Sequence, residues 1–389
     1  MLRFVHIRRK STQLPPMITE RYQGEMTKQN YKIVGSHSAV KTCRWMLNSL
    51  RGRGGCYKHS FYGISSHQCM EATPAVACAN RCTFCWRSDS HPVAMKWKFN
   101  VDSPEEILNG MLNAHSSLVK QLKGADVDPV AFKEASGLPK HAALSLVGEP
   151  VWYPHINELV DMLHKKRIST FLVTNGQFPD NLRDLKPITQ LYLSIDASDR
   201  DTLKSIDRPL FADYWERLNE CLTILSERSS TQRTVCRLTL LKGKNMTNVA
   251  GYAELIKKAS PGFVEVKGAT YAAWNYEKTG LTMDNTPWYE EVLLFAKQLR
   301  DELPGYEIAC VHEHSVSVLI ARKDQYQKQG KWHTWINFEK FADHPGLTPE
   351  EFQIATPSWS LVDSDSKGFN PNHKRHRPDR PVPDEIRKL

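Results

Sequence analysis

The run CANRCTFC, from Cys78 to Cys85, sets three cysteines in a C-x3-C-x2-C spacing, with Phe84 just before the third. A [4Fe–4S] cube takes one thiolate-type ligand per iron, so three cysteines on one short loop leave an iron open. An electron-transfer ferredoxin fills that place with a fourth cysteine, and here none follows before Cys221. The amino and carboxylate groups of S-adenosylmethionine can occupy an open iron. The reduced cluster then cleaves the sulfonium to a 5'-deoxyadenosyl radical, which is the cofactor's own chemistry. Zinc is the competing reading of Cys-x2-Cys, but zinc sites usually come as two such pairs with four ligands. The spacing of Cys78, Cys82 and Cys85 therefore predicts a radical S-adenosylmethionine enzyme.

On either side of this loop, strand-like and helix-like segments alternate, which argues for an α/β fold with a parallel sheet and helical crossovers. Short apolar or β-branched runs at Thr73–Ala79, Ala142–Val147, Thr170–Thr174, Gln190–Ile195, Arg233–Leu240, Gly262–Val266 and Tyr306–Val311 read as buried strands. The clearest helix starts at Ser103, with Pro104 at its first position and Glu105 and Glu106 in its first turn. Further helices are predicted over His155–Lys166, Tyr214–Glu227, Asn248–Lys258 and Thr286–Glu302, and Gly124–Lys140 reads as a loop or insertion. Gly148 and Glu149 close one strand, Asn175 and Gly176 the next, and Ser194 and Asp196 the one after. Polar groups at successive strand ends converge on one face of a parallel sheet. Each of these pairs also suits an ordinary turn or cap.

Composition bounds the rest. The chain has 389 residues and a formal charge of +9, and residues 1–60 carry twelve Lys and Arg against Glu20 and Glu25. Such a basic face fits a phosphate-rich partner, since counterion release drives that binding; a solvated surface is the plainer reading. The acid-free start MLRFVHIRRKSTQLPP has the composition of a mitochondrial transit peptide. Residues 1–30 are thus expected to be a targeting or disordered segment and the location mitochondrial, with a cytoplasmic basic tail as the alternative. No apolar run is long enough for a membrane span. Nine cysteines, an odd number with six between residues 43 and 85, argue for cluster binding over a disulfide framework. Residues 323–389 read as a partly disordered tail ending in the basic FNPNHKRHRPDRPVPDEIRKL.

A longer likeness surrounds the loop. The stretch GSHSAVKTCRWMLNSLRGRGGCYKHSFYGISSHQCMEATPAVACANRCTFCWR (35–87) resembles the 4-demethylwyosine synthase family of the wybutosine pathway. HAALSLVGEPVWYP, FLVTNGQFP, LYLSIDAS, SIDRPLF, RLTLLKG, FVEVKG and EIACVHEHS extend it over about residues 30–320. The resemblance implies a partial or irregular (β/α) barrel over residues 31–322, with a second-cluster segment at 31–72 as an N-terminal extension. It implies N1-methylguanosine at position 37 of phenylalanine tRNA as substrate, condensed with carbons of pyruvate into tricyclic 4-demethylwyosine.

The same resemblance assigns residues. Cys43, Cys56 and Cys69, thirteen positions apart, are implied to hold a second [4Fe–4S] cluster; read alone, they fit scattered buried thiols equally well. Lys58 is implied to form a Schiff base with pyruvate, against the plainer role of a phosphate contact. Gly148 and Glu149 match only part of the Gly-Gly-Glu turn that binds the methionine amino group, since Val147 stands where the first glycine would. Asn175, Ser194 and Asp196 are implied ribose and methionine contacts. Asp207, Arg208, Glu265 and Lys267 are loop or strand-end candidates without a role, and Trp45, Tyr57, Phe61, Tyr62 and Trp86 are candidates to stack on the purine. Many eukaryotic relatives carry a flavodoxin-like FMN domain ahead of this region. Fewer than forty residues precede it here and the sequence has no Gly-rich flavin loop, so an external donor of ferredoxin or flavodoxin type is expected. The rival readings are a noncatalytic iron–sulfur protein that binds tRNA, and a radical enzyme acting on another tRNA purine.

Overall fold

Short runs of β-branched and apolar residues lie side by side as strands in the computed structural model, which describes residues 14–87, 90–271, 279–374 and 382–389. The strands are β1 (Lys32–Val34), β2 (Ser38–Lys41), β3 (Cys69–Thr73), β4 (His141–Leu144), β5 (Ser169–Thr174), β6 (Gln190–Ser194), β7 (Thr234–Leu240), β8 (Phe263–Gly268), β9 (Tyr306–His312) and β10 (Ser317–Arg322). They form one ten-stranded sheet in the order β1-β2-β3-β4-β5-β6-β7-β8-β10-β9. Neighbours from β3 to β8 pair in parallel. The hairpin β1–β2 runs antiparallel onto β3, and β10 runs antiparallel to both β8 and β9. The two edges do not meet, so the sheet is a partial barrel, as expected.

Helices cover its outer face, except the one at Tyr57–Tyr62, which packs on the inner face. In chain order they are α1 (Glu20–Lys28), α2 (Arg44–Leu50), α3 (Tyr57–Tyr62), α4 (Pro104–Lys120), α5 (Pro129–Ala135), α6 (Ile156–Lys165), α7 (Pro179–Asp184), α8 (Arg200–Asp207), α9 (Tyr214–Arg228), α10 (Val249–Ala259) and α11 (Tyr289–Asp301). α4 starts where its sequence dictates. Ser103 accepts from the Glu106 N–H while the Glu106 carboxylate takes the Ser103 N–H, a capping box worth about 1 kcal/mol. Its apolar stripe of Ile107, Leu108, Met111, Leu118 and Val119 is buried.

Two cores result. One fills the space between the outer helices and the sheet. The other lies on the inner face, where Phe171, Tyr192, Val235, Phe263 and Leu319 meet Phe61 and Tyr62 and the C-terminal residues Trp332, Ile336, Phe341 and Phe352. Arg233 is fully buried among them. Its Nε donates to Gln190 Oε1 at 3.0 Å and its Nη2 to the Thr334 carbonyl at 2.7 Å. Because Phe171, Val235 and Phe263 come from the early halves of the parallel strands β5, β7 and β8, the plug closes the N-terminal end of the half-barrel. The C-terminal ends stay open.

Four expectations change. The strand placed at Thr73–Ala79 is instead Cys69–Thr73, ended by Pro74, which has no N–H for the ladder. Gly124–Lys140 holds α5, capped by Asp128 on the Ala131 N–H, and α5 buries only Ala135, too little apolar surface to leave a helical signal. Residues 14–30 are ordered: α1 is capped by Thr19, and Met17, Tyr22 and Met26 are buried. Beyond Lys323, Tyr326, Trp332, Ile336, Phe341 and Phe352 pack against the inner face. Residues 1–13, on which the targeting reading rested, and 375–381 lie outside the described residues, whereas eight of the twelve Lys and Arg in residues 1–60 lie within them. No described helix is long and apolar enough to cross a membrane.

Candidate active site

The first triad lies on the loop after β3, and backbone contacts fix that loop on several sides. The Cys78 N–H donates to the Pro92 carbonyl at 3.3 Å, and the Arg81 and Thr83 N–H groups donate to Asp207 and Ile206 at the end of α8. Donors surround the sulfurs. Arg87 Nε stands 2.6 Å from Cys85 Sγ, and Asn175 Nδ2 and the Asn80 N–H stand 3.2 and 3.4 Å from Cys78 Sγ. Such donors favour thiolate. Burial instead raises the thiols of Cys78 and Cys82, and Asp207 raises Cys82 further. None of the three is in a disulfide among the described residues.

The strand-end residues converge as predicted. Gly148 has φ +74°, and a Cβ there would stand 1.9 Å from the Ala75 carbonyl oxygen, so only glycine lets this turn pass so close to the cluster loop. Glu149 is buried. Its Oε2 accepts the Asn175 N–H at 2.9 Å, while its Oε1 is buried without a partner among the described residues. Burial holds its carboxyl up at about 7, against hydrogen bonds from Asn175 and Thr174 and the charge of Arg87. Asp196, also buried, is pushed up to about 6 by burial, opposed by Arg237 and by hydrogen bonding to Thr239. An unpartnered carboxylate oxygen, a glycine cradle and a cysteine triad outside any disulfide fit the amino group and cluster end of S-adenosylmethionine.

The second triad gathers at the N-termini of short elements. Cys43 precedes α2, Cys56 precedes α3, and Cys69 opens β3. The three thiols lie within electrostatic range of one another and of Glu71. Burial raises Cys43 and Cys69, the latter to about 12. Ser66 Oγ stands 3.5 Å from Cys56 Sγ. Among the described residues, no three His, Cys, Asp or Glu side chains stand close enough to hold a single metal ion. A cube makes no such demand, because each iron takes its own thiolate.

The first triad and Cys43 of the second line one cavity of about 800 Å³, within the range of small-molecule sites. Cys78, Cys82, Cys85, Gly148, Glu149, Asn175, Ser194 and Asp196 line it at one side, with Cys43, Trp45 and Tyr57 at another. Cys56, Cys69 and Lys58 are not in its lining, although their neighbours Tyr57 and Glu71 are. Lys58 is buried in α3, with its Nζ 5.3 Å from the centre of the Tyr192 ring. Trp45 stands edge-on to His312 and His314, and Trp86, 39% exposed, stacks on Tyr31 with Lys41 over both rings. Phe61 and Tyr62 are fully buried in the inner plug, so they are core residues and not stacking platforms.

Sequence reasoning passed over Glu71, Arg87 and Arg237, and left Glu265 and Lys267 without roles. All but Arg87 stand in strands buried on both faces, where an ionisable residue interrupts an apolar run. CMEAT, TVCRLTL and FVEVKG each carry that signal. Asp207 is buried, accepts from Asn80 at 3.3 Å and braces the first triad. Arg208, at φ +45°, caps α8.

Comparisons with known proteins point one way. The radical SAM superfamily model matches residues 73–256, and the model described as wyosine base formation matches residues 258–322. S-adenosyl-L-methionine-dependent tRNA 4-demethylwyosine synthase of Oryza sativa is 49% identical over 372 residues, covering 94% of this chain and 56% of that protein. The Homo sapiens protein TYW1 is 47% identical over 372 residues, covering 93% and 50%. The chain thus spans about half the length of the curated relatives it matches. Among solved structures, TYW1 with a lysine–pyruvate adduct bound aligns with a TM-score of 0.70 and 33% identity, covering 79% of this chain and 97% of that one. An archaeal TYW1 crystal structure aligns at 0.64 and 31%, covering 79% and 98%.

Proposed function

We propose, from the premise that this chain belongs to the tRNA 4-demethylwyosine synthase family, that it converts N1-methylguanosine at position 37 of phenylalanine tRNA to 4-demethylwyosine with carbons of pyruvate. The observation that carries this reading is a cavity lined by the whole first triad and by Cys43 of the second, with the buried Lys58 beside Cys69. A [4Fe–4S] cluster on Cys78, Cys82 and Cys85, with S-adenosyl-L-methionine bound, supplies a hydrogen-abstracting carbon radical, given one electron from a donor of ferredoxin or flavodoxin type.

The chain's own residues do the rest. Gly148 lets the backbone approach the cluster loop, and Glu149 Oε1 receives the amino group of S-adenosyl-L-methionine. Asn175, Ser194 and Asp196 orient the remainder of that molecule from the neighbouring strand ends. Cys43, Cys56 and Cys69 hold a second [4Fe–4S] cluster. Lys58 supplies the amine that adds to the pyruvate carbonyl, and its burial keeps water from competing for the carbonyl carbon. Trp45 and Trp86 offer aromatic faces to a purine splayed from the anticodon loop, whose phosphates meet Lys41 and Arg44.

Anaerobic reconstitution tests the metal content: about eight irons per chain are expected from two cubes, and about four would remove the second. Incubating the loaded protein with dithionite, S-adenosyl-L-methionine, pyruvate and N1-methylguanosine tRNA should yield the tricyclic base by mass spectrometry of the digested tRNA. Cys78→Ala should abolish it. A reconstituted protein that cleaves S-adenosyl-L-methionine and leaves the tRNA unchanged in the presence of pyruvate would refute the substrate.

A further inference from the structure

The chamber beside Lys58 holds cations that its own acids do not fully engage. Arg237 stands on β7 in register with Ser194 of β6 and Glu265 of β8. Lys267 follows Glu265 by two residues on β8 and so shares its face. Arg237 and Lys267 both line the cavity. The Nε of Arg237 is buried with no partner among the described residues. Lys267 Nζ donates to the Ser315 carbonyl oxygen at 2.8 Å and lies 3.4 Å from that of Gly268. An ammonium has three N–H donors, so one is left to give.

Aromatic rings tie these cations to the nucleophile. Lys267 Nζ stands 5.7 Å from the centre of the Tyr57 ring, and Tyr57 adjoins Lys58 on α3. Lys58 and Arg237 both act on the charge of Glu71 and of Glu265. Burial raises Glu265, whose Oε1 already accepts from the Tyr62 hydroxyl at 2.8 Å. Burial, with Arg237 and Arg44 adding like charge, lowers Lys267 to about 7, a penalty that an entering anion relieves.

We propose that Arg237 and Lys267 together bind the carboxylate of a 2-oxo acid whose carbonyl carbon faces Lys58, making the chamber selective for 2-oxo acids over uncharged ketones. This rests on the reading of Lys58 as the amine that adds to the carbonyl. In that step a C–N bond forms, the carbonyl oxygen leaves as water with both amine protons, and a ketimine remains with its carboxylate intact. Borohydride then delivers hydride to the imine carbon and leaves a secondary amine on the lysine.

Borohydride trapping on the reconstituted full chain, read as adduct mass on the Lys58 peptide, tests the proposal with pyruvate and acetone as probes. Wild type is expected to half-saturate with pyruvate at a concentration at least a hundredfold below that for acetone. Arg237→Gln and Lys267→Gln should each raise the pyruvate value at least tenfold without changing the acetone value, and Arg237→Lys should recover part of the loss. Iron content checks that each variant is loaded; if Arg237→Gln does not load, Arg237→Lys and Lys267→Gln decide by the same criterion. Unchanged pyruvate dependence in the variants, or an equal loss for both probes, overturns the carboxylate role and leaves the Lys58 reading standing. No wild-type adduct with either probe overturns both.

Discussion

Glu149 carries a proton in the folded chain at pH values where the unfolded chain has lost it. Burial holds its carboxyl at about 7 against an ordinary value of 4.5. Between those two values the native state binds more protons than the unfolded state, so stability falls as pH rises through that window and levels above it. The loss totals about 3 kcal/mol. Glu149→Gln has no such proton to hold. Thermal unfolding of that variant should therefore lose less stability between pH 4.5 and 7 than wild type does, a difference that isolates this one group. Binding has the opposite sign. The amino group of S-adenosyl-L-methionine requires the carboxylate, so its affinity for the loaded protein should rise about tenfold per pH unit below 7 and plateau above. Equilibrium dialysis at fixed salt measures this, and Glu149→Gln should bind at least tenfold more weakly and lack the rise. At this scale the sequence was informative where residue type and spacing carry the chemistry: Cys78, Cys82, Cys85 and Glu149 stand where their motif placed them. Arg237 and Lys267 showed only as charges interrupting apolar strands, because their meaning depends on strands that pair across the fold.

α3 depends on a segment far along the chain. Trp335 Nε1 and Ser360 Oγ both donate to the Ser60 carbonyl, at 2.8 and 2.6 Å, and Thr334 Oγ1 donates to the Phe61 carbonyl at 2.7 Å. These bonds satisfy C-terminal carbonyls that a six-residue helix cannot pair within itself. Gly63 ends the helix at φ +81°, where a Cβ would stand 2.8 Å from the Trp335 ring. Gly63→Ala is expected to cost at least about 1 kcal/mol by chemical denaturation and to slow trapping of pyruvate on Lys58, through displacement of α3. Equal trapping rates at equal folded fraction would show that α3 tolerates the shift. The long parallel strands and α4, α6, α9, α10 and α11 were legible because their apolar runs are continuous or periodic. α2, α3 and α5 were not, since elements of six or seven residues show less than two full turns of any pattern.

The two ends of the described chain brace the two triads. Near the start, Met17 Sδ accepts the Ala77 N–H at 3.2 Å, one residue before Cys78, and Tyr22 bonds His91, a neighbour of Arg87, at 2.8 Å. Removing residues 1–28 strips Met17, Tyr22 and Met26 from the core and should cost several kcal/mol, at about 2–5 for each large buried side chain before relaxation. Any segment cleaved on import must then end before Met17, which sequencing of the mature N-terminus checks. Near the other end, Ser60 donates through its hydroxyl to the Gly368 carbonyl at 2.6 Å, across 308 positions of sequence. A ribosome adding about 5–20 residues per second needs about 15–60 s to make that span. Through that interval the nascent chain already exposes Cys43, Cys56 and Cys69, yet α3 still lacks the partners that hold it. Lys58 thus acquires its enclosed setting only as synthesis ends, so that an exposed amine and a half-built thiol cage precede the finished chamber in time. Nascent chains arrested before Trp335 should accordingly leave Lys58 open to amine-labelling reagents that the completed protein excludes.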